Sequence, residues 1–408
     1  MRQINDVVRE ELGMICRRAG AVAAATVIGA GLVLAGPARA DEVKVGVLGA
    51  FTGPYAEWGT HFQRAVDLFM AEHHGRAGTH QVKIIYRDDG GNNPGRAKQL
   101  AQELIVRDGV QYLAGLEFTP TVLSVADVIT QAKMPFVIFN SSTPFVVRKS
   151  PYYIRTGYTQ WQASYPAAEY AAEHGATRAV IISADYAPGE AAIEAYTKGF
   201  TDKGGKIIDV IKVPLDTNDM SSYLQRIQDD KPDTLFTFMP GGPMAIGLVK
   251  GWVDRGLRAS GMKYWGGGEL DETYLPAVGD AAIGALSAGY YGPYLDNPQN
   301  KKFVAAYEAK YHELPNVEVI DAWDGMQVVF HMIEATDGRR DGDKAMQSVK
   351  GYKWNSPRGP LEIDPKTRDI IQNVYIRAVK KVDGKLEDVL LYTYPMVKDQ
   401  WKELHPEG

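Results

Sequence analysis

From residue 43 onward the chain alternates two hydrophobic periodicities. "VKVGVLG" (43–49) is a continuous apolar run that predicts a buried strand, and "THFQRAVDLFMAEHH" (60–74) places Phe62, Ala65, Val66, Phe69 and Met70 on one face of a helix. "QVKIIYR" (81–87) is again a strand, "DDGGNNP" (88–94) is turn chemistry, and Pro94 opens a helix that closes on Gly109. Strand "VQYLAG", helix "TVLSVADVITQA" and strand "MPFVIFN" follow. Repeated β-α units of this kind imply a parallel sheet with helices on both faces. The grammar then restarts with a helix over 163–175 and a strand over 178–183, and runs through further β-α units to "KYWGGG" (263–268). After about residue 290 the order changes to two helical patterns and a Gly/Asp-rich segment. Two strand patterns around Asp383-Gly384 close the chain, a hairpin signal.

The first forty residues follow a different rule. "CRRAG" leads into the apolar "AVAAATVIGAGLVLAG", and Ala38-Arg39-Ala40 supplies the small residues of a cleavage site. The run is shorter than the roughly 20 residues a spanning helix needs. Residues 1–40 are therefore expected to be a secretory signal cleaved after Ala40, with Met14 competing with Met1 as the start. Cys16, the one cysteine, leaves with it, so disulfides and thiol chemistry are excluded from the mature chain. What remains is 368 residues with 40 Lys/Arg against 47 Asp/Glu, a net charge of −7. That balance has no electrostatic footprint for nucleic acid, and the length exceeds one ordinary core, so two domains are expected.

Motifs for catalysis are missing. The loop "GVLGAFTGPYAEWG" (46–59) carries neither G-x-G-x-x-G nor G-x-x-x-x-G-K-[ST], so it cannot cradle a pyrophosphate in the usual way. No G-x-S-x-G elbow occurs, and His73-His74 has no ligand partner at metal-site spacing. Asp88-Asp89 reads as turn chemistry rather than an acid–base pair. What the strand ends do carry is hydroxyls, glycines and aromatics: "AFTGPYAEWG", "LEFTPT", "NSST", "ADYAPGE", "MPGGP" and "GGGELDE". Ligands of open α/β sheets bind at such ends, and Ser/Thr with free backbone N–H groups at a helix start can hold a carboxylate. Thr119 is equally readable as an N-cap, and Trp58, Tyr158, Trp161 and Tyr186 as cleft walls or as core. Binding groups without a catalytic group point to a carrier and not an enzyme, with no cofactor and no metal.

The chain resembles the periplasmic solute-binding proteins of the branched-chain amino-acid and amide class of ABC importers. The most specific pieces are "VKVGVLGAFTGPYAEWG", "YRDDGGNNPGRAKQLAQELI", "IRTGYT" (154–159) and "GPLEID" (359–364). The resemblance implies an α/β type I periplasmic binding protein, two Rossmann-like lobes with parallel central sheets joined by a three-crossover hinge near 157–162, 287–293 and 362–368. Residues 41–160 and 291–364 would form lobe 1, and 161–290 and 365–408 lobe 2. It also implies a monomer in the periplasm, a small-molecule carboxylate ligand, and inner-membrane permease subunits as partners, with cytoplasmic ATPases behind them.

Carried over one by one, the resemblance makes Trp58 the aromatic cover, Thr119 the hydroxyl at the first helix start, and Ser141 and Thr143 the carboxylate holders. Tyr186 falls near the far-lobe aromatic, and Gly241 falls where another aromatic often stands. Amino-acid binders of the family set acidic residues against the ligand ammonium; here those positions fall on Gln162 and on Gly268, with Glu269 next to it. An unpaired ammonium in a closed cleft is costly. With Tyr158, Trp161 and Trp265 nearby, an aromatic or otherwise apolar carboxylate is the favoured ligand. The alternatives are a branched-chain amino acid or amide met by Glu269, and an extracytoplasmic sensor subunit.

Overall fold

The computed structural model describes residues 42–215, 217, 219–240, 242–267 and 270–406. The expected signal, 1–40, and the candidate residues Gly241 and Glu269 lie outside the described residues. The chain begins β1 (Glu42–Gly49), α1 (Ala56–Glu72), β2 (Arg76–Ala77), β3 (His80–Asp88), α2 (Pro94–Val106), β4 (Tyr112–Gly115), α3 (Thr119–Ala132), β5 (Phe136–Ile138) and β6 (Tyr153–Arg155). It continues α4 (Gln160–Glu173), β7 (Arg178–Ala184), α5 (Ala187–Asp202), β8 (Lys206–Val213), α6 (Ser221–Asp230), β9 (Thr234–Phe238), α7 (Gly242–Asp254), β10 (Lys263–Gly266), α8 (Leu275–Val278) and β11 (Leu286–Gly289). Last come α9 (Pro298–Tyr311), α10 (Val317–Thr336), α11 (Gly342–Ser348), β12 (Lys353–Ser356), β13 (Gly359–Ile363), β14 (Ile370–Val382), β15 (Lys385–Val397) and α12 (Gln400–Leu404).

Among the described residues the strands form two sheets, ordered β2-β3-β1-β4-β5-β6 and β12-β13-β14-β11-β10-β9-β7-β8, with β15 on β14. β1, β3, β4, β5 and β6 are parallel, as are β7 to β11, while the short β2 and the late strands pair antiparallel. The second sheet shows why its strands read as unbroken apolar runs. In β7, Val180 and Ile182 enter one core, Ala179 and Ile181 the other, so both faces are covered. The final hairpin turns at Asp383 (φ 49°) and Gly384 (φ 83°), the left-handed pair a two-residue turn requires.

Helices α1 to α3 and α9 to α11 pack with the first sheet into one core. The chain passes to the second sheet between β6 and α4, and returns between β11 and α9. The last passage is a ribbon: β12 and β13 bond into the second sheet, yet Leu361 and Ile363 are buried in the first core.

In both lobes the helix that follows the first strand is brought against the end of that strand by the same device. A Cβ on Gly59 would stand 2.1 Å from the Ala50 carbonyl oxygen, and one on Gly189 1.9 Å from that of Ala184. Only glycine permits that approach. Gly59 therefore sits inside α1, which starts at Ala56 and not at Thr60 as its apolar pattern predicted.

Candidate ligand-binding cleft

In each sheet the strand order reverses once, between β1 and β4 and between β7 and β9, and loops leaving those four strands diverge to leave a crevice. The crevices of the two lobes face one another and enclose a cavity of about 140 Å³. A cavity of roughly that size accepts one benzene ring.

Of the residues expected to bind ligand, Trp58, Thr119, Tyr158 and Tyr186 lie on this wall. Trp58 is in the first turn of α1, with Phe118 stacked 6.3 Å from it between ring centroids. Across the cleft, Tyr186 stacks on Phe238 at 6.0 Å with an interplanar angle of 11°. Tyr158 lies 4.9 Å from Tyr290, and burial pushes its hydroxyl up to about 12, so it stays a neutral hydrogen-bonding group. These pairs give the cleft flat apolar sides contributed by both lobes.

Ser141 and Thr143 stand one layer back. Their hydroxyls meet the Thr119 hydroxyl at 3.2 and 2.8 Å, and the residue of this loop on the wall is Ser142. Ser141 has φ 68° and Leu116, at the end of β4, φ 59°. Two non-glycine residues held left-handed at neighbouring strand ends are strain of the kind found where a loop is shaped for binding. Among the described residues, the Ser142 and Thr143 N–H groups donate to no acceptor. Together with the N-terminus of α3 they form an end of the cleft suited to an anion.

Gln162 is placed elsewhere. It is fully buried at the third position of α4 in a capping box with Thr159: the Thr159 hydroxyl accepts from Gln162 N, and Gln162 Oε1 accepts from Thr159 N. Its Nε2 donates to the Ile370 and Val397 carbonyls, both at 2.9 Å. With every polar atom engaged at the hinge, it offers nothing to the cleft; the neighbouring Gln160 is on the wall. Trp161 and Trp265 are likewise core residues, 1% and 2% exposed, rather than cleft walls.

Three carboxyl groups on the wall escaped sequence reasoning. Glu117, 4% exposed, has no partner for either oxygen among the described residues, and burial with the Asp89 charge beside it holds it well above the usual carboxylate range. Asp271, from the loop before α8, accepts from Thr273 N at 3.0 Å and is pushed up to about 6 by burial and by Glu318. Glu318, in the first turn of α10, has Oε2 3.5 Å from His61 Nδ1. Arg377 of β14 is also on the wall, with Nε 3.2 Å from Asp388 and Nη1 bonded to the Tyr291 carbonyl. Across the mouth, Asn316 Nδ2 donates to Thr273 Oγ1 at 3.1 Å, joining α10 of the first lobe to a loop of the second. Among the described residues no cluster of His, Cys, Asp and Glu could hold a metal.

Residues 42–385 match the family described as periplasmic binding protein. A Brucella melitensis protein named Leu/Ile/Val-binding protein homolog 6 is 43% identical over 352 residues, 86% of this chain and 90% of that protein. A solute-binding protein of an ABC transporter from Rhodopseudomonas palustris HaA2, solved with p-hydroxybenzoic acid, is 44% identical with a TM-score of 0.85, covering 88% of this chain and 98% of that one. Its counterpart from Rhodopseudomonas palustris BisB5, solved with 3,4-dihydroxybenzoic acid, is 39% identical with a TM-score of 0.84, covering 88% and 99%.

Proposed function

The chain belongs to the periplasmic binding protein family, and from that premise we propose that it captures a small aromatic carboxylate in the periplasm and delivers it to the permease of an ABC importer. The observation that carries this is the union of flat aromatic sides from both lobes with an end where the unengaged N–H groups of Ser142 and Thr143 lie beside the Thr119 and Ser142 side chains. Ring and carboxylate would thus be met by separate parts of the wall. The ligands in the two Rhodopseudomonas palustris structures support the same reading. In it, Trp58 and Tyr186 cover the ring, Tyr158 borders it, and Ser141 and Thr143 orient Thr119. Hinge closure about the passages near 156–159 and 290–297 would shut the cleft. Residues 1–40 would direct export.

A second reading, a branched-chain amino acid or amide, is favoured by Asp271 and Glu318, which could receive an ammonium, and by the name of the Brucella melitensis relative. A thermal-shift panel separates the two. A ligand at 100 times its Kd stabilises the native state by about 2.7 kcal/mol. We expect 4-hydroxybenzoate to raise the melting temperature and leucine and valine to leave it unchanged. A shift with leucine and none with 4-hydroxybenzoate would replace the first reading by the second, and turnover of either would end the carrier reading.

A further inference from the structure

We propose that the C-terminal helix α12 is a strap that orients the 141–143 loop through a buried charge relay, Lys402 to Asp369 to Arg155, so that residues 399–404 set the affinity for a carboxylate they never touch. This rests on the proposed function in that the loop is taken to hold the ligand carboxylate.

Arg155, the last residue of β6, is fully buried. Its Nη1 donates to the Ser141 carbonyl at 2.6 Å and the Thr143 carbonyl at 2.8 Å, while Nε and Nη2 grip Asp369 Oδ1 at 2.9 and 2.7 Å. The other Asp369 oxygen takes the ammonium of Lys402, which is 4% exposed. The planar fork of arginine is what allows one side chain to serve two carbonyls and a carboxylate together; a lysine could not. The Ser142 carbonyl is tied back as well, accepting from Gln160 N at 2.8 Å.

The consequence follows from peptide geometry. No cis peptide occurs among the described residues, and in a trans peptide the carbonyl of one residue and the N–H of the next point opposite ways. Drawing the Ser141 carbonyl toward Arg155 and the Ser142 carbonyl toward α4 turns the N–H groups of Ser142 and Thr143 the other way. Those are the donors left without an acceptor. The relay therefore holds two N–H groups outward against the strain at Ser141 (φ 68°). A second contact joins the same elements: the Arg148 guanidinium lies 5.1 Å from the Trp401 ring, on the 3₁₀ turn Pro144–Lys149 that follows the loop. Asp399 caps α12, its Oδ1 accepting from Trp401 N.

The test uses the full mature protein, with 4-hydroxybenzoate and 4-hydroxybenzamide as probes in calorimetry and hydrogen exchange on ligand-free protein. Lys402→Met should weaken 4-hydroxybenzoate about tenfold, the scale of one misplaced charge-assisted hydrogen bond, and 4-hydroxybenzamide less than about threefold. Lys402→Arg should stay within about threefold of wild type for both. Exchange in the 141–149 segment should quicken in Lys402→Met while the rest of the first lobe keeps its protection. Deleting 399–408 should exaggerate both effects, and if that variant fails to fold, Lys402→Met decides. Equal losses for the two probes, or unchanged exchange in 141–149, would reduce α12 to a structural support. The exchange arm needs no ligand, so it still decides the strap if wild type binds neither probe and the aromatic-acid reading falls.

Discussion

Asp369 at the hinge and Asp89 beneath the cleft are both almost wholly buried, yet their surroundings treat them in opposite ways. Asp369 is gripped by Arg155 on one oxygen and Lys402 on the other. Burial alone would raise it, but those two cations hold it below the usual carboxylate range. Asp89 accepts from Gly91 N on one oxygen, has no partner on the other among the described residues, and is pushed up to about 6 by burial. Its neighbour Glu117, on the wall itself, has no partner at all among the described residues. The hinge thus sets two cations directly on its carboxylate, while Glu117 and one oxygen of Asp89 have no hydrogen-bonded cation among the described residues. A carboxylate ligand can approach Glu117 only if that group remains protonated, which is the state its burial favours.

The comparison is broken most directly by removing the anion at the hinge. Asp369→Asn leaves Arg155 and Lys402 buried without a counter-charge, and losing one partner of a buried pair costs about 3–5 kcal/mol. Urea unfolding of the ligand-free protein should show a loss of that size. A change below about 1 kcal/mol would mean that the cluster is a surface-like pair with little structural weight.

A smaller effect sharpens the contrast through pH. Asp89 has a folded value near 6, above that of an unfolded aspartate, so the native state holds the extra proton between about pH 4 and 6. Stability from Asp89 is therefore present at low pH and lost as pH rises through 6. Asp369, depressed in the fold, behaves the other way, and its contribution is lost only as pH falls below the ordinary carboxylate range. Between pH 5 and 7.5 the slope accordingly reports groups raised by burial and not Asp369. Asp271 and Asp399, each pushed up to about 6, add to it, as does His61, whose value burial lowers but the Glu318 hydrogen bond and nearby carboxylates raise. Asp89→Asn should raise stability at pH 7.5 by about 1–3 kcal/mol and remove its share of the slope. Unchanged stability at pH 7.5 would show that Asp89 is ionised at no cost.

The fold was largely legible because its signals are local. Covered strands read as apolar runs, and Asp383-Gly384 announced its hairpin. Trp58, Thr119, Tyr158 and Tyr186 could be placed near the cleft wall because parallel sheets bring their strand ends together at fixed places in the chain order. Arg377 was not, since it reaches the wall from β14, a late strand inserted beside β11. Glu117 was hidden in "LEF", where one acidic letter among apolar neighbours gives no hint that it stays unpartnered. Trp161 and Trp265 show the converse limit: an aromatic near a hinge loop packs inward or outward according to contacts that no local pattern records.

Gln162 is the instructive miss, because a competing local signal was present. Thr159-x-x-Gln162 just ahead of a helical pattern is the spacing of a capping box, and it explains the residue without a ligand. Thr159→Ala should lower unfolding free energy by about 1 kcal/mol, the usual worth of an N-cap, and leave 4-hydroxybenzoate affinity within about threefold. Gln162→Ala should behave alike but cost somewhat more, since the Ile370 and Val397 carbonyls also lose their donor. Calorimetry and urea unfolding on the two variants read both quantities. A Gln162→Ala protein of unchanged stability with a tenfold weaker ligand would return that side chain to the cleft, because no cap acts on binding while leaving folding untouched.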